Sequence, residues 1–403
     1  VYQDYLRGTP GAKEVEVDAY GKVKKVLARK DPIPGANLKL ALDSELQQKA
    51  KEVLARKLLE LKAKKGVVVA LDPRNGEILA LVSLPDYDNN LFLTPQKEAL
   101  QQLLQDPDHP LFNRAISGTY PSGSTIKPVV ASAALQEGIV DSQRTFLCKG
   151  ELIVPNRYDP SVVYHYRDWK VHGIVDVRKA IAVSCNVFFY IVGGGYEGIR
   201  GLGAERLASY YRAFGLGQKT GIDLPKEATG LIPTPSWKQK AKGEPWYLGD
   251  TYHLAIGQGD LLVTPLQVAQ FTMAIANGGT IYQPHLVRSI VQPNGKEKKL
   301  TFSHKKVPVK SEYLQIVREG MRQAVLSGTA RQLKDLAITS AGKTGTAEDP
   351  TGSGKPHSWF TCFAPYENPQ IVITVMIEHG GEGYEGAEPV AKEILAFWQK
   401  NLK

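Results

Sequence analysis

The sequence predicts an α+β fold: one antiparallel sheet flanked by helices, with an all-helical lobe between its halves. Three observations predict it. Two apolar runs meet early around Asn75-Gly76, a helical block fills the middle, and three strand-like runs plus an amphipathic helix end the chain. Strands that come both early and late make a sheet closed from both ends of its domain.

Residues 1–42 hold short polar strand-like pieces, 14–17 and 23–27, broken by Gly and Pro. They are expected to be the end of a small N-terminal module, with 43–403 forming the main domain. Asp43 or Ser44 is expected to cap a helix, and Ser44-x-x-Gln47 fits a capping box. Leu46, Ala50, Val53 and Leu54 share one face of it. Residues 67–71 and 78–82, joined by Asp72-Pro73-Arg74-Asn75-Gly76, read as a β-hairpin.

From about residue 94 to 276 the pattern is mainly helical. Its clearest helix opens at Thr264-Pro265, runs through Leu266, Ala269, Met273 and Ala276, and closes at Gly278-Gly279. A further helix is expected over 311–325, strands over 338–347, 358–363 and 371–377, and a last helix over 389–398. Residues 348–355 read as a flexible loop. No internal repeat is visible.

Of the 403 residues, 42% are hydrophobic and 23% charged, a globular composition. The net charge of +9 favours anionic partners. No basic stretch is interleaved with aromatics as a nucleic-acid groove would be. The richest basic run, 49–65, alternates with Glu52, Glu60 and leucines, which suits a solvated helix face. There is neither a long apolar run nor a signal peptide, and the chain opens at Val1, so a trimmed chain lacking its membrane segment is expected. Three cysteines are too few for a disulfide scaffold.

Three short motifs carry chemistry. Pro121-Ser122-Gly123-Ser124-Thr125-Ile126-Lys127-Pro128 is a turn entering an Ala-rich helix. Ser124 falls at the helix start, where unpaired N–H groups favour negative charge, and Lys127 returns to the same face one turn later. A serine that attacks a carbonyl needs a base. Lysine serves only when neutral, so burial or a nearby cation has to lower its pKa. The plain alternative is a Ser N-cap beside a solvated Lys.

Ser184-Cys185-Asn186 places a hydroxyl and an amide at a break in apolar sequence; alone it also fits an ordinary polar loop. Lys343-Thr344-Gly345-Thr346 offers a charge, two hydroxyls and a glycine that lets a ligand approach the backbone, or else an edge strand with a protective lysine.

In that order, S-x-x-K, S-x-N and K-T-G-T form the trio of penicillin-binding proteins and class A β-lactamases. The chain resembles that superfamily. Within it, the chain resembles the class B penicillin-binding proteins of the elongation type, the penicillin-binding protein 2 group. The likeness runs over nearly the whole chain from Tyr5. It is carried by Leu6-Arg7-Gly8-Thr9-Pro10-Gly11, Tyr166-Arg167-Asp168-Trp169-Lys170, Trp237-Lys238-Gln239-Lys240, Pro245-Trp246-Tyr247 and Gly257-Gln258-Gly259. The first of these belongs, by resemblance, to the end of a pedestal or dimerisation domain.

The resemblance implies a peptidoglycan D,D-transpeptidase that cross-links stem peptides through an acyl-serine and is inhibited by β-lactams. Ser124 would attack the penultimate D-Ala carbonyl, Lys127 take its proton, Ser184 relay a proton to the leaving amine, and Asn186 orient Lys127 and the substrate amide. Lys343, Thr344 and Thr346, with Gly345 between them, would hold the substrate carboxylate. The N–H groups of Ser124 and Thr346 would form the oxyanion hole. It also implies a SEDS-family (RodA-like) glycosyltransferase and the elongation scaffold as partners. A single-pass anchor would hold the catalytic domain on the periplasmic or extracellular side of the cytoplasmic membrane. The alternatives are a D,D-carboxypeptidase or β-lactamase-type hydrolase, and a non-catalytic β-lactam sensor or scaffold; the complete trio speaks against the last.

Cys148, Asp168, His172 and Cys185 offer two thiolates, a carboxylate and an imidazole, which are zinc-type ligands. Their spacing matches no common zinc pattern and equally suits four unrelated residues. The resemblance implies a structural zinc beside S-x-N in some elongation-type members, with Cys148 standing where others have Asp. A Cys148–Cys185 disulfide is the remaining alternative.

Overall fold

The structure is a computed structural model and describes residues 1–93, 96–156, 159–349 and 354–401. Its centre is a five-stranded sheet in the order Ala341–Ala347, His357–Ala364, Ile371–Ile377, Gly66–Leu71, Ile78–Leu84, antiparallel throughout. The early hairpin thus pairs directly with the last strand, as expected for a sheet closed from both ends.

Successive side chains on a strand point to opposite faces, and both faces are covered. Val68, Ala70, Phe360, Ile373 and Val375 pack with Leu46, Val53 and Leu54 of the helix Ser44–Leu61 and with Val390, Ile394 and Leu395 of the helix Ala387–Lys400. Val67, Val69, Trp359, Phe363 and Met376 face the other way, onto the buried helix Pro265–Ala276. Thr264 and Gln267 form a reciprocal capping box at its start, 2.9 and 3.1 Å.

Three expectations are corrected, and of the two cap candidates Asp43 is the one used. Asp43 alone caps the first long helix, accepting from Glu45 N and Leu46 N. Gln47 makes no box with Ser44; its amide bonds the Leu81 backbone at 2.9 and 2.7 Å, tying helix to sheet. The strand expected from 338 begins at Ala341. The middle lobe is not all-helical. Two ribbons, Phe146–Cys148 with Gly173–Val175 and Glu151–Pro155 with Val163–Arg167, interrupt its helices. Val162-Val163-Tyr164-His165-Tyr166 is β-branched and aromatic, the composition that favours strands. The start of the helical block at Thr94 lies outside the described residues, as do 350–353 of the loop 348–355.

Near the N-terminus, Ala12–Val17 pairs with Val23–Lys30 in an exposed ribbon. Asn37–Leu40 pairs instead with Val287–Val291, far along the chain. No helix among the described residues is long and apolar enough to cross a membrane.

Candidate active site

Ser124 sits in a 3₁₀ turn, Gly123–Ile126, that leads into the helix Lys127–Gln136. Its neighbours are buried while Ser124 itself is partly open. It caps nothing, so the plain N-cap reading fails. The turn is seated main chain to main chain. Gly123 has φ +51°, and a Cβ there would lie 2.4 Å from Thr346 O; one on Gly257 would lie 2.1 Å from Gly123 O. Gly123 N–H donates to Gly257 O at 2.9 Å.

Lys127 is fully buried, which excludes a solvated lysine. Its Nζ donates to Asn186 Oδ1 at 2.6 Å, Ser184 O at 2.8 Å and Ser184 Oγ at 3.3 Å. Burial pushes its pKa down to about 8, against the pull of Asp168, Cys185 and Cys148. Among the described residues Ser124 Oγ has no hydrogen-bond partner, so the serine and its expected base are close in sequence but not yet bonded.

Ser184 follows the helix Val177–Ala182 and precedes the helix Asn186–Gly194. At φ +56° it holds a left-handed conformation that costs a non-glycine residue of order 1–3 kcal/mol. That kink brings its Oγ between two lysines. Lys343 Nζ donates to it at 2.9 Å and to Thr344 O at 2.8 Å. With two bonds accepted, the Ser184 hydrogen is free to point into the cavity. Lys343 is fully buried too, so it is no protective edge lysine; burial, then the Lys127 charge, drives its pKa well below the ordinary value.

Lys343, Thr344, Gly345 and Thr346 lie on the strand Ala341–Ala347, in register with Thr361, Phe360, Trp359 and Ser358. Thr344 Oγ1 donates to Thr329 Oγ1 at 2.7 Å. Gly345 is crowded: a Cβ would lie 2.7 Å from Thr125 Cγ2. Two neighbours escaped the sequence reading. Gln258 Nε2 donates to Thr346 O at 3.4 Å, and Thr346 Oγ1 donates to Glu382 Oε2 at 2.6 Å. Gln258 carried only a resemblance as its signal; Glu382 carried none.

Behind the S-x-N segment, ligand atoms of Cys148, Asp168 and Cys185 lie within 4.8 Å of one another. Cys148 Sγ is 3.3 Å from Asp168 Oδ2, which also accepts Val187 N–H at 3.0 Å. His172 stands at the edge of this group, its buried Nε2 3.5 Å from Asp168 Oδ1 and, among the described residues, without a hydrogen-bond partner. Both cysteines are free thiols, not a disulfide. The closeness of the two thiols favours loss of the Cys148 proton first and keeps the proton on Cys185. Burial opposes ionisation of Asp168, yet His172, the Lys127 charge and the Val187 and Asn186 amides hold its carboxyl below the usual range. Two sulfurs, a carboxylate and an orphaned buried ring nitrogen fit a zinc-type donor set.

The family model described as penicillin binding protein transpeptidase domain matches residues 66–396, and the penicillin-binding protein dimerisation domain matches residues 1–40. Peptidoglycan D,D-transpeptidase MrdA of Acinetobacter baumannii is 38% identical, covering 98% of this chain and 59% of the relative. MrdA of Escherichia coli K12 is 36% identical, covering 95% and 61%. The chain therefore spans about three fifths of the length of these curated relatives. Among solved structures, one concerning the coordination of polymerization and crosslinking by a peptidoglycan synthase complex superposes with TM-score 0.86 at 37% identity, covering 99% of this chain and 69% of that one. The complex of penicillin-binding protein PBP2 with MreC from Helicobacter pylori gives 0.83 at 32%, covering 100% and 71%. A transpeptidase match over 66–396, and relatives above 30% identity along nearly the whole sequence, establish that this chain belongs to the penicillin-binding protein transpeptidase family.

Proposed function

We propose that the chain is the catalytic portion of a peptidoglycan D,D-transpeptidase of the elongation type, working through an acyl-Ser124 intermediate. The observation that carries this reading is the fully buried Lys127, bonded to Ser184 and Asn186 one turn from an accessible serine.

Lys127 Nζ has three acceptors around it, a set that only an ammonium can satisfy in full. A neutral amine can donate only two of those bonds and has a lone pair to accept a proton. The lone pair then takes the Ser124 proton as Ser124 Oγ attacks the penultimate D-Ala carbonyl carbon. The C–N bond breaks, and the leaving D-Ala amine receives a proton through Ser184, whose hydrogen is free while both lysines hold its oxygen. The amine of a neighbouring stem then attacks the ester carbonyl, the new C–N bond forms as the C–O bond to Ser124 breaks, and the amine's proton returns to Ser124 Oγ by way of neutral Lys127. Lys343, Thr344 and Thr346 of this strand would form the seat of the substrate carboxylate. Backbone N–H groups of Ser124 and Thr346 would receive the oxyanion, each such donor being worth about 3 kcal/mol.

Cys148, Asp168, His172 and Cys185 would hold a zinc ion. The ion would be structural, four protein ligands leaving no position for water. The orphaned His172 Nε2 supports this assignment.

The names of the relatives support the wider setting: MrdA transpeptidases, a peptidoglycan synthase complex and a complex with MreC. On that basis the partners are a RodA-like glycosyltransferase and the elongation scaffold, the substrates are stem peptides, and β-lactams are inhibitors. The full protein would be anchored in the cytoplasmic membrane with this portion outside. Residues 1–42 would be the end of the pedestal domain and 43–403 the transpeptidase domain.

The deciding experiment is mass spectrometry after penicillin, with the acylated peptide mapped. A stable adduct on Ser124, absent from Ser124→Ala, is expected. Undiminished labelling of that variant would sink the assignment. Rapid loss of the adduct in buffer would favour a hydrolase.

A further inference from the structure

Glu382 reaches the site from outside the three motifs. It lies in the turn between the strand Ile371–Ile377 and the helix Ala387–Lys400, and its Oε2 accepts from Thr346 Oγ1 at 2.6 Å. The same Thr346 oxygen accepts from Gly383 N–H at 3.3 Å. A hydroxyl has one hydrogen to give. Here it is given to a carboxylate, the stronger kind of acceptor. What Thr346 then presents to the cavity is oxygen lone pair, which suits a donor and repels an anion.

The turn is built to keep Glu382 in place. Its carbonyl accepts from Ser358 Oγ, Glu385 N and Gly386 N, each at 3.0 Å. Gly383 rests on the sheet itself: a Cβ there would lie 2.6 Å from both Gly345 O and Trp359 O. The main chain is therefore anchored against the K-T-G-T strand, whereas the Glu382 side chain is exposed and rotates freely in solvent once released.

We propose that Glu382 is a specificity-determining residue: it holds the Thr346 hydroxyl in the unliganded protein and has to release it before the carboxylate of a stem peptide or β-lactam docks. This rests on the reading of Thr346 as part of the carboxylate seat. Docking is then an exchange of one carboxylate for another on the same hydroxyl. The incoming anion gains no hydrogen bond in the balance and meets like charge on its way in. A ligand without a carboxylate does not take part in that exchange.

The test compares second-order acylation constants of the native chain, Glu382→Ala and Glu382→Gln with benzylpenicillin and with its methyl ester, mapping the adduct each time. With benzylpenicillin, Glu382→Ala should acylate faster by roughly threefold to thirtyfold, the range between an exposed ion contact and a hydrogen bond to a charged group. Glu382→Gln, which keeps the shape and loses the charge, should fall between. The ester should show no gain in either variant. Unchanged constants, equal gains with both probes, or slower acylation in Glu382→Gln would overturn the proposal, while a Ser124 adduct in the same samples leaves the transpeptidase reading standing. Absence of that adduct from the native chain would overturn that reading, and this one with it.

Discussion

Two walls meet at the hydrogen bond between Lys343 and Ser184, and they are held by different means. The Lys343 wall is a strand in register with its neighbour over seven residues, Ala341 to Ala347, with helices packed on both faces of the sheet. The Ser184 wall is a break between two short helices, with a serine in a left-handed conformation. Behind it stand two free thiols, a buried carboxylate and an unpartnered imidazole nitrogen. One wall is a continuous backbone ladder. The other gathers potential ligand atoms around the His172 nitrogen, which a further group would satisfy.

The contrast can be broken at its centre first. Lys127 bridges the serine turn to the Ser184 wall, so Lys127→Ala should slow β-lactam acylation by roughly 10²–10⁴, the range for loss of a general base. Stopped-flow or label-quench kinetics with mapped Ser124 adduct measures it. A loss below tenfold would remove Lys127 from the base role.

The next effect should fall on one wall only. If zinc completes the Ser184 wall, chelation or His172→Ala should lower the melting temperature and slow acylation by roughly tenfold, the lower end for supporting-shell losses. Hydrogen exchange should rise in residues 146–175 and 184–188 and stay unchanged in 341–347. About one zinc per chain is expected by elemental analysis. A metal-free preparation with full stability and rate would remove the metal from the account.

The pH profile sharpens the link between the walls. Lys127 is protonated below its lowered pKa and neutral above it, so acylation should rise with pH around an apparent value near 8. Lys343 lies on the same hydroxyl, so that value belongs to the pair. The sign for stability follows from the same shift. Between about 8 and the ordinary lysine value of 10.5 the unfolded chain binds more protons, so Lys127 makes folding more favourable as pH rises through that window. A flat rate between pH 6 and roughly 9 would contradict a lysine base.

The smallest expected change in rate lies behind the strand wall. Burial raises the Glu388 carboxyl to about 8; its Oε1 accepts from Gln332 N and its Oε2 has no partner. A carboxyl with a raised folded value binds its proton more tightly when folded. Stability should therefore fall as pH rises from about 4.5 to 8 and stay reduced above that. Glu388→Gln should remove this slope in chemical denaturation and leave acylation unchanged. A native-like slope in the variant would show that another group carries it.

These walls were also unequally legible. The sheet behind the strand wall stands in the sequence because three of its strands are largely apolar runs: 371–377 is the observed strand, and 67–71 and 78–82 fall inside the observed hairpin. The three motifs stand there too, because S-x-x-K, S-x-N and K-T-G-T keep fixed local spacing. The ribbons between 146 and 175 were lost in a block judged mainly helical, though Val163-Tyr164-His165-Tyr166 is strand-prone. The convergence of Cys148, Asp168 and Cys185 depends on how those ribbons fold back, and their spacing carries no sign of it. Gln47 fits a local capping box and instead serves a long-range contact to Leu81. Glu382 acts through a partner 36 residues away, across a turn whose shape no local pattern encodes.

The seating of Gly123 against Thr346 O, and of Gly257 against Gly123 O, has a consequence for how this site can change. Its gauge at these two glycines is set where peptide units touch. Any larger residue at Gly123 meets the strand, any larger residue at Gly257 meets the serine turn, and no smaller residue exists. Single replacements can therefore recontour the mouth, around Gln258 and Glu382, while the width at these two glycines is fixed. Altering that width calls for inserting or deleting a residue in a neighbouring loop, a far rarer event.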